Sequence, residues 1–230
     1  MSDSSPPTVP PAFRPVDAAS LAVFRIAFGS LMVWEVLRFF ANGWIGPTWI
    51  RPKFHFTYDG FEWVRPWPGA GMYVHFAVMG AAALCVALGF QYRIAAAVLF
   101  LTFTWVFLCE QAAYLNHFYL IALLSFLMVC VPAHRAWSLD ARRRPDLHNG
   151  TAPAWALQLL RFQIAVPYVF GGIAKISPDW LRGEPIRAWL RDSSDFPVLG
   201  RFFGEEWCVY AFAYGGRLLD RFIVPLLLWR

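Results

Sequence analysis

A succession of apolar segments, each close to the length of a bilayer-spanning helix, constrains this chain more than any other feature. The first begins at Ser20 and reads SLAVFRIAFGSLMVWEVLRFF. A helix needs about 20 mostly apolar residues to cross the hydrocarbon core of a membrane. A soluble domain carries about 25% charged residues, whereas this chain of 230 residues carries 15%. We therefore predict an all-α transmembrane bundle with about five full spans, near residues 20–40, 70–90, 93–114, 117–131 and 153–176.

The segments outside these spans predict surface elements. The final stretch, RLLDRFIVPLLLWR, has fourteen residues and predicts either an interfacial helix or part of a sixth span in an incomplete chain. The connections at residues 43–68 and 177–216 predict an interfacial aromatic belt and an amphipathic helix on the membrane surface. Residues 1–15 are rich in Pro and Ser and predict a disordered leader, so the transmembrane domain is expected over residues 16–230.

The positions of the arginines predict the orientation of the chain. The net charge of +5 comes mainly from Arg between apolar segments, which is typical of membrane topology and argues against a nucleic-acid partner. Short loops with Arg93, Arg135 and residues 142–144 are expected in the cytoplasm, together with the N-terminus. His134 and Trp137 are expected as interfacial anchors on that side. The Ala- and Arg-rich composition favours a bacterial inner membrane, and no metal-ligand spacing or nucleotide motif is present.

Ionisable residues within the predicted spans are the candidate functional groups, because each costs about 2.5–3.5 kcal/mol to insert. They are Arg25, Glu35, Arg38, Glu110, Arg161 and Lys175. Glu35 and Arg38 lie three residues apart on one helix and are expected to pair. Arg161 lies about 12 Å into the fifth span, where Glu110 is one candidate partner. A structural ion pair and a substrate anchor are both open interpretations of Arg161.

Lys175 lies at the end of the fifth span, in YVFGGIAKISPDW. It is either a snorkelling lysine with its ammonium in water or a desolvated, neutral amine that acts as a base. Gly171 and Gly172 favour the base, because they let a helix or a ligand approach one turn before the lysine. Asn116 and His117 begin the fourth span. They are either a hydrated helix start or a hydrogen-bonding pair that faces a cavity at the depth of Lys175.

Several segments, in order along the chain, carry a family resemblance. They are DAASLAVFRIAFGSLMV, GFQYRIAAAVLFL, NHFYLIALLSF, HRAWSLD, LRFQIAVPYVFGGIAKISPDWLRG and GEEWCVYAFAYGGRLLD. Together they resemble the membrane domain of the vitamin K-dependent gamma-carboxylase family, also called the horizontally transferred transmembrane (HTTM) domain. The resemblance covers nearly everything after the leader.

The resemblance implies a lysine-initiated reaction. The lysine that matches Lys175 would deprotonate reduced vitamin K, a naphthohydroquinone. Oxygenation by O2 to the epoxide would then supply the strong base that allows CO2 to be added to a peptide glutamate. His117 and Asn116 match a pair that orients the hydroquinone, and Arg161 matches an arginine with a positional role. With Gly171 and Gly172, these residues are expected to bind the substrate, and no metal is implied.

Two alternatives to the carboxylase remain open at this point. Family members continue beyond the point where this chain stops, and an HxxN-like segment associated with the site is absent. The chain is therefore either a carboxylase, a quinol epoxidase without protein carboxylation, or a non-catalytic membrane protein that binds quinone or lipid. The expected partners are membrane lipid and, for the carboxylase, a glutamate-containing peptide or protein.

Overall fold

The structure is a computed structural model that describes residues 10–144 and 150–229. Within these ranges the chain is mostly helical, which confirms the predicted all-α class. The strands and α-helices are, in order, β1 (Pro15–Asp17), α1 (Ala19–Ala41), α2 (Gly71–Leu88), α3 (Tyr92–Leu108), α4 (Asn116–Cys130), α5 (Leu139–Arg143), β2 (Thr151–Pro153), α6 (Ala154–Ala174), α7 (Pro178–Leu181), α8 (Glu184–Asp192) and α9 (Glu206–Leu228). The chain divides into two compact units, of which the first ends at Leu157 and the second begins at Gln158.

The described start of the chain is held by a short strand pair. Residues 1–9 of the predicted leader lie outside the described residues. Pro11–Phe13 form a 3-10 turn, and β1 pairs antiparallel with β2, with Val16 opposite Ala152. The Asp17 carboxylate accepts a hydrogen bond from the Ala19 backbone N–H at 2.8 Å. This bond satisfies one free donor at the start of α1, next to the N-cap residue Ala18.

Three of the described helices, α1, α2 and α6, are long and apolar enough to cross a membrane. The helices α3 and α4 are shorter apolar helices of 17 and 15 residues. The third span is therefore shorter than its predicted range, because α3 ends at Leu108 rather than at Tyr114. The physical reason lies at Glu110, whose backbone is extended and whose carboxylate accepts a hydrogen bond from the Ala112 N–H. This contact starts a 3-10 turn in place of further α-helix.

In the first unit, each of the helices α1 to α4 packs on the next one along the chain. Small residues allow α1 and α2 to approach closely. A Cβ atom at Gly29 of α1 would lie 2.6 Å from the backbone nitrogen of Ala87. The predicted pair of Glu35 and Arg38 is confirmed, with 3.2 Å between Oε2 and Nη2.

The side chain of Arg25 is fully buried and links three parts of the first unit. Its guanidinium donates hydrogen bonds to the carbonyl oxygens of Val86 and Ala87 at the end of α2, at 2.9 and 2.6 Å. It also donates to the carbonyls of Ala133 and Trp137, between α4 and α5, at 3.1 and 2.6 Å. A buried arginine that is bonded to four carbonyls has a structural role, and this accounts for one ionisable residue in the first predicted span.

The turn between α2 and α3 is closed by the segment HRAWSLD. The Asp140 carboxylate accepts hydrogen bonds from the backbone N–H groups of Gln91 and Tyr92, both at 2.9 Å. Gly89 has a φ of 63°, and a Cβ atom there would lie 2.6 Å from Arg25 Nη1. Glycine is therefore required at this position both for its backbone conformation and for the space it leaves. These contacts hold the tight turn between α2 and α3.

His134 and Trp137, which were both predicted as interfacial anchors, differ in burial. The His134 side chain is 8% exposed and its ring stacks on Tyr92 with 5.1 Å between centroids. The prediction is wrong for His134, because the segment folds back onto the helix ends and covers this ring. Trp137 is 62% exposed, as an interfacial tryptophan would be.

In the second unit, α8 packs against the start of α9. Leu190 of α8 is buried with Cys208 and Val209 of α9. The predicted surface helix in residues 177–216 corresponds to α7 and α8, and α9 follows as one helix of 23 residues. The sequence placed the start of the last apolar segment at Arg217, which was wrong because α9 already begins at Glu206.

An exposed ion-pair network also joins α8 to α9. Arg187 donates to Glu206 Oε2 and to Glu184 Oε1, both at 2.7 Å. The hydrogen bonds from Arg187 hold the pKa of the Glu206 carboxyl below its ordinary value of 4.5. A carboxyl whose pKa is lower in the folded state stabilises the fold above its unfolded pKa, and this stabilisation is lost as the pH falls through the folded value.

The variant Glu206→Gln is therefore expected to make the second unit less sensitive to acid. In wild type, the unfolding temperature should fall as the pH drops below about 4.5, and the fall should be smaller in the variant. The measurement is thermal unfolding in detergent between about pH 6 and pH 3 at low salt, since salt screens exposed pairs. Glu205→Gln is the matched control, because Glu205 is exposed and has no ion pair in the described part of the chain. Equal acid sensitivity of the two variants would contradict the assignment.

Candidate functional site

Lys175 forms an ion pair with a carboxylate that the sequence analysis missed. Its Nζ atom lies 2.6 Å from Oδ2 of Asp220, in the middle of α9. The two side chains are 23% and 8% exposed, respectively. The amine also lies 5.5 Å from the ring centroid of Trp180. Lys175 is thus mostly enclosed by protein and has an acidic partner within hydrogen-bonding distance.

Glycines surround this ion pair on both helices. A Cβ atom at Gly172 would lie 3.4 Å from the Asp220 Cβ, and one at Gly171 would lie 3.8 Å from Oδ2. On α9, a Cβ atom at Gly216 would lie 3.8 Å from Lys175 Nζ. These glycines let the two helices approach closely enough for the short lysine–aspartate contact. Gly171 and Gly172 were predicted to allow a close approach, and the element that approaches them is α9.

An elongated groove lies beside the pair, between the end of α6 and the second half of α9. It encloses about 1090 Å³ of empty space, part of it open to the surroundings. Its lining includes Tyr168, Val169, Gly172, Ile173, Ile176, Tyr214, Arg217, Asp220, Arg221 and Val224. The lining combines apolar side chains with a few charged groups, which is typical of a small-molecule site. Asp220, which holds Lys175, is therefore one of the residues that line this groove.

Arg161 lies in α6 and is partly buried. Within the described part of the second unit it has no ion pair. Glu110, its candidate partner, is already engaged in the first unit: Oε2 lies 2.9 Å from His55 Nδ1, and Oε1 accepts from the backbone N–H of Phe56 at 3.3 Å. The role of Arg161 in substrate binding stays a prediction.

Asn116 and His117 are the first two residues of α4, in the first unit. Both side chains are exposed, and the His117 ring lies edge-on to Phe118 with 4.8 Å between centroids. In the described part of the first unit, neither side chain has a hydrogen-bonding partner. They belong to a different unit from Lys175, so the cavity shared with Lys175 stays a prediction.

The missed residue, Asp220, has a signal in the sequence. It stands in RLLDRFIVPLLLWR, where an acidic residue among leucines needs a buried partner. The pairing with Lys175 could not be read from the sequence, because the two residues are 45 positions apart and the register of α6 against α9 is a tertiary property.

The helical fold, the three helices of membrane-spanning length and the buried polar contacts define an integral membrane protein. The chain belongs to the HTTM domain family, whose model matches residues 13–230. This match confirms the resemblance to the family and links the chain to the gamma-carboxylases in general. No solved structure matches the chain.

Proposed function

We propose that this chain is a vitamin K-dependent gamma-carboxylase-like enzyme of the membrane. In this proposal Lys175 is the base that starts the oxygenation of a reduced naphthoquinone to its epoxide, coupled to carboxylation of a peptide glutamate. The observation that carries the proposal is the pair of Lys175 and Asp220, which are 2.6 Å apart, with Asp220 lining the groove between α6 and α9. Membership of the HTTM domain family supports it.

The groups of the groove fit a reduced naphthoquinone. Val169, Ile173 and Val224 offer apolar surface for a flat ring, and Tyr168 and Tyr214 stand on the two sides of the groove. A hydroxyl group on the ring needs an acceptor, and a carboxylate or a neutral amine provides one. When bound, the hydroquinone would supply the acidic hydroxyl and the electrons that react with O2, and CO2 would be the further substrate.

The protein would contribute proton transfer at Lys175 Nζ. An ammonium group has no free lone pair, so Lys175 must give up one proton before it can act as a base. Asp220 Oδ2, at 2.6 Å, is placed to accept this proton. A neutral amine that remains enclosed beside Trp180 is then available for the hydroxyl of the substrate.

The other predicted site residues have supporting roles in this proposal. His117 and Asn116 would hydrogen-bond the hydroquinone and orient it, and Arg161 would anchor the substrate. Gly171 and Gly172 would keep the groove accessible next to Asp220. We further propose that the N-terminus lies in the cytoplasm of a bacterial cell, on the basis of the arginine-rich short loops, and that membrane lipid and a glutamate-containing peptide or protein are the partners.

The test is the oxidation of reduced vitamin K by the purified protein in detergent. We expect the wild-type protein to form the epoxide in the presence of O2, and to incorporate labelled CO2 into an added glutamate-containing peptide. Epoxide without label in the peptide would favour a quinol epoxidase without protein carboxylation. A folded protein that forms no epoxide would contradict the proposal and leave a non-catalytic quinone- or lipid-binding protein.

A further inference from the structure

The segment between α4 and α5 joins several helices of the first unit, and we call residues 133–140 the clasp. The carbonyl oxygens of Ala133 and Trp137 accept hydrogen bonds from the buried guanidinium of Arg25 in α1. The Asp140 carboxylate accepts from two backbone N–H groups at the start of α3. The backbone N–H of Asp140 also donates to a carbonyl of the turn between α2 and α3, at 2.9 Å. The contacts to α1, to α3 and to this turn therefore all depend on one short segment.

One backbone position in the clasp is strained. Trp137 has a φ of 50°, in the left-handed region that residues with bulky side chains rarely adopt. Such a conformation persists only while the surrounding structure holds it. The Trp137 side chain is 62% exposed, so the strained backbone is held mainly by the hydrogen bond from Arg25 and by the contacts of the neighbouring clasp residues. The strain favours opening of the clasp when one of these contacts is weakened.

His134 is a buried titratable group inside the clasp. Its side chain is 8% exposed, and its ring stacks on Tyr92. The Nδ1 atom is buried without a hydrogen-bond partner among the described residues. A protonated imidazole carries an N–H on both ring nitrogens. Protonation of His134 would therefore place a charged donor without an acceptor in a buried position, which is unfavourable.

The charges around His134 act mostly in the same direction. The facing groups are Tyr92 and Arg93 of α3, Arg25 of α1, Asp140 of α5 and Arg135 of the clasp itself. Burial lowers the pKa of the His134 imidazole below its ordinary value of 6.5, and the three arginine charges lower it further, whereas Asp140 raises it. A histidine whose pKa is lower in the closed clasp stabilises the closed form above about pH 6.5, and this stabilisation is lost as the pH falls below that value.

We infer that the clasp is an acid-sensitive device, in which protonation of His134 releases residues 133–140 from α1, α3 and the turn between α2 and α3 while the helices stay folded. Opening brings the charged imidazole into contact with water and relieves the strained backbone at Trp137. The inference requires neither Lys175 nor any reaction, so it stands apart from the proposed function.

The test is hydrogen exchange of the protein in detergent, without substrate, between about pH 7.5 and pH 5.5. The reporters are the backbone N–H groups of Gln91 and Tyr92, which donate to Asp140. Their exchange rates are divided by the intrinsic rate at each pH. We expect this ratio to rise up to about 10-fold over the range in wild type, because one histidine changes an equilibrium by at most about tenfold per pH unit. Amides in the middle of α2 should show no such rise. An equal rise throughout the first unit would indicate global unfolding and overturn the inference.

The variant His134→Phe should abolish the rise, because phenylalanine keeps a flat ring against Tyr92 but has no ionisable nitrogen. Its matched control is His117→Phe, since His117 also belongs to the first unit but is exposed; this variant should keep the wild-type rise. A rise that persists in His134→Phe would assign the acid response to another histidine, such as His75, and overturn the inference. The absence of any rise in wild type would also overturn it.

A second variant covers the case in which His134→Phe does not fold. Arg93 is exposed, and Arg93→Gln removes one of the positive charges that disfavour the protonated ring while leaving His134 in place. The midpoint of the rise should therefore move to higher pH. Arg51→Gln is the matched control, because Arg51 is an exposed arginine of the same unit that is not among the charges around His134, and its midpoint should equal that of wild type. An unchanged midpoint in Arg93→Gln would overturn the inference.

Discussion

The variant Arg25→Ala is expected to lower the free energy of unfolding of the first unit by at least about 3 kcal/mol. The truncation leaves four carbonyl oxygens without their donor, those of Val86, Ala87, Ala133 and Trp137. Each buried acceptor that loses its partner costs about 1–3 kcal/mol, and little water reaches this fully buried site. The unfolding temperature in detergent should fall by roughly 6–12 °C, as measured by circular dichroism.

The matched control is Arg38→Ala, also on α1. The Arg38 side chain is 47% exposed, pairs with Glu35 and lies 5.2 Å from the ring centroid of Trp44. Exposed contacts of these two kinds contribute at most about 1 kcal/mol each. Arg25→Lys should lie between the two, because an ammonium has three donors on one atom instead of the planar set of five. If Arg25→Ala and Arg38→Ala unfold at the same temperature, the four carbonyl contacts do not stabilise the unit.

The helices could be predicted from the sequence wherever an apolar segment ends at a strong local signal. The first predicted span, residues 20–40, matches α1 at Ala19–Ala41, since Asp17 accepts a hydrogen bond from the first N–H of the helix and Asn42 and Gly43 follow its end. The prediction overextended α3, because Glu110 is engaged by His55 and by backbone donors. It also shortened α9, because Gly215 and Gly216 interrupt the apolar pattern although the helix continues through them. These differences arise from contacts between elements that are distant in the sequence.

The candidate site could be predicted only in part for the same reason. Lys175 is recognisable from the sequence, because a lysine behind two glycines at the end of an apolar segment is unusual. Asp220 stands within the last apolar segment, but its partner depends on how α6 meets α9.

The variant Lys175→Ala is expected to lower the rate of epoxide formation by at least about 100-fold, the lower range of what a positioned base contributes. The reason is that no other amine replaces Nζ, since Lys53 is the only other lysine and lies in the first unit. The measurement is the initial rate of epoxide formation from reduced vitamin K, with Lys53→Ala as the control that should retain the wild-type rate. A wild-type rate in folded Lys175→Ala would contradict the assignment of the base.

The loss of activity must be separated from the loss of an ion pair that joins two helices, because removal of Lys175 leaves the carboxylate of Asp220 buried and unpaired. The double variant Lys175→Ala with Asp220→Ala removes both charges and should recover most of the lost stability. If the pair only joins the helices, the double variant should also recover activity. If Lys175 is the base, the double variant should stay inactive.

Asp220→Asn adds a second criterion, since an amide can still accept a hydrogen bond from Lys175 but cannot take its proton. We therefore expect Asp220→Asn to keep the fold and to show reduced epoxide formation with a pH profile displaced from that of wild type, which a purely structural pair would not produce.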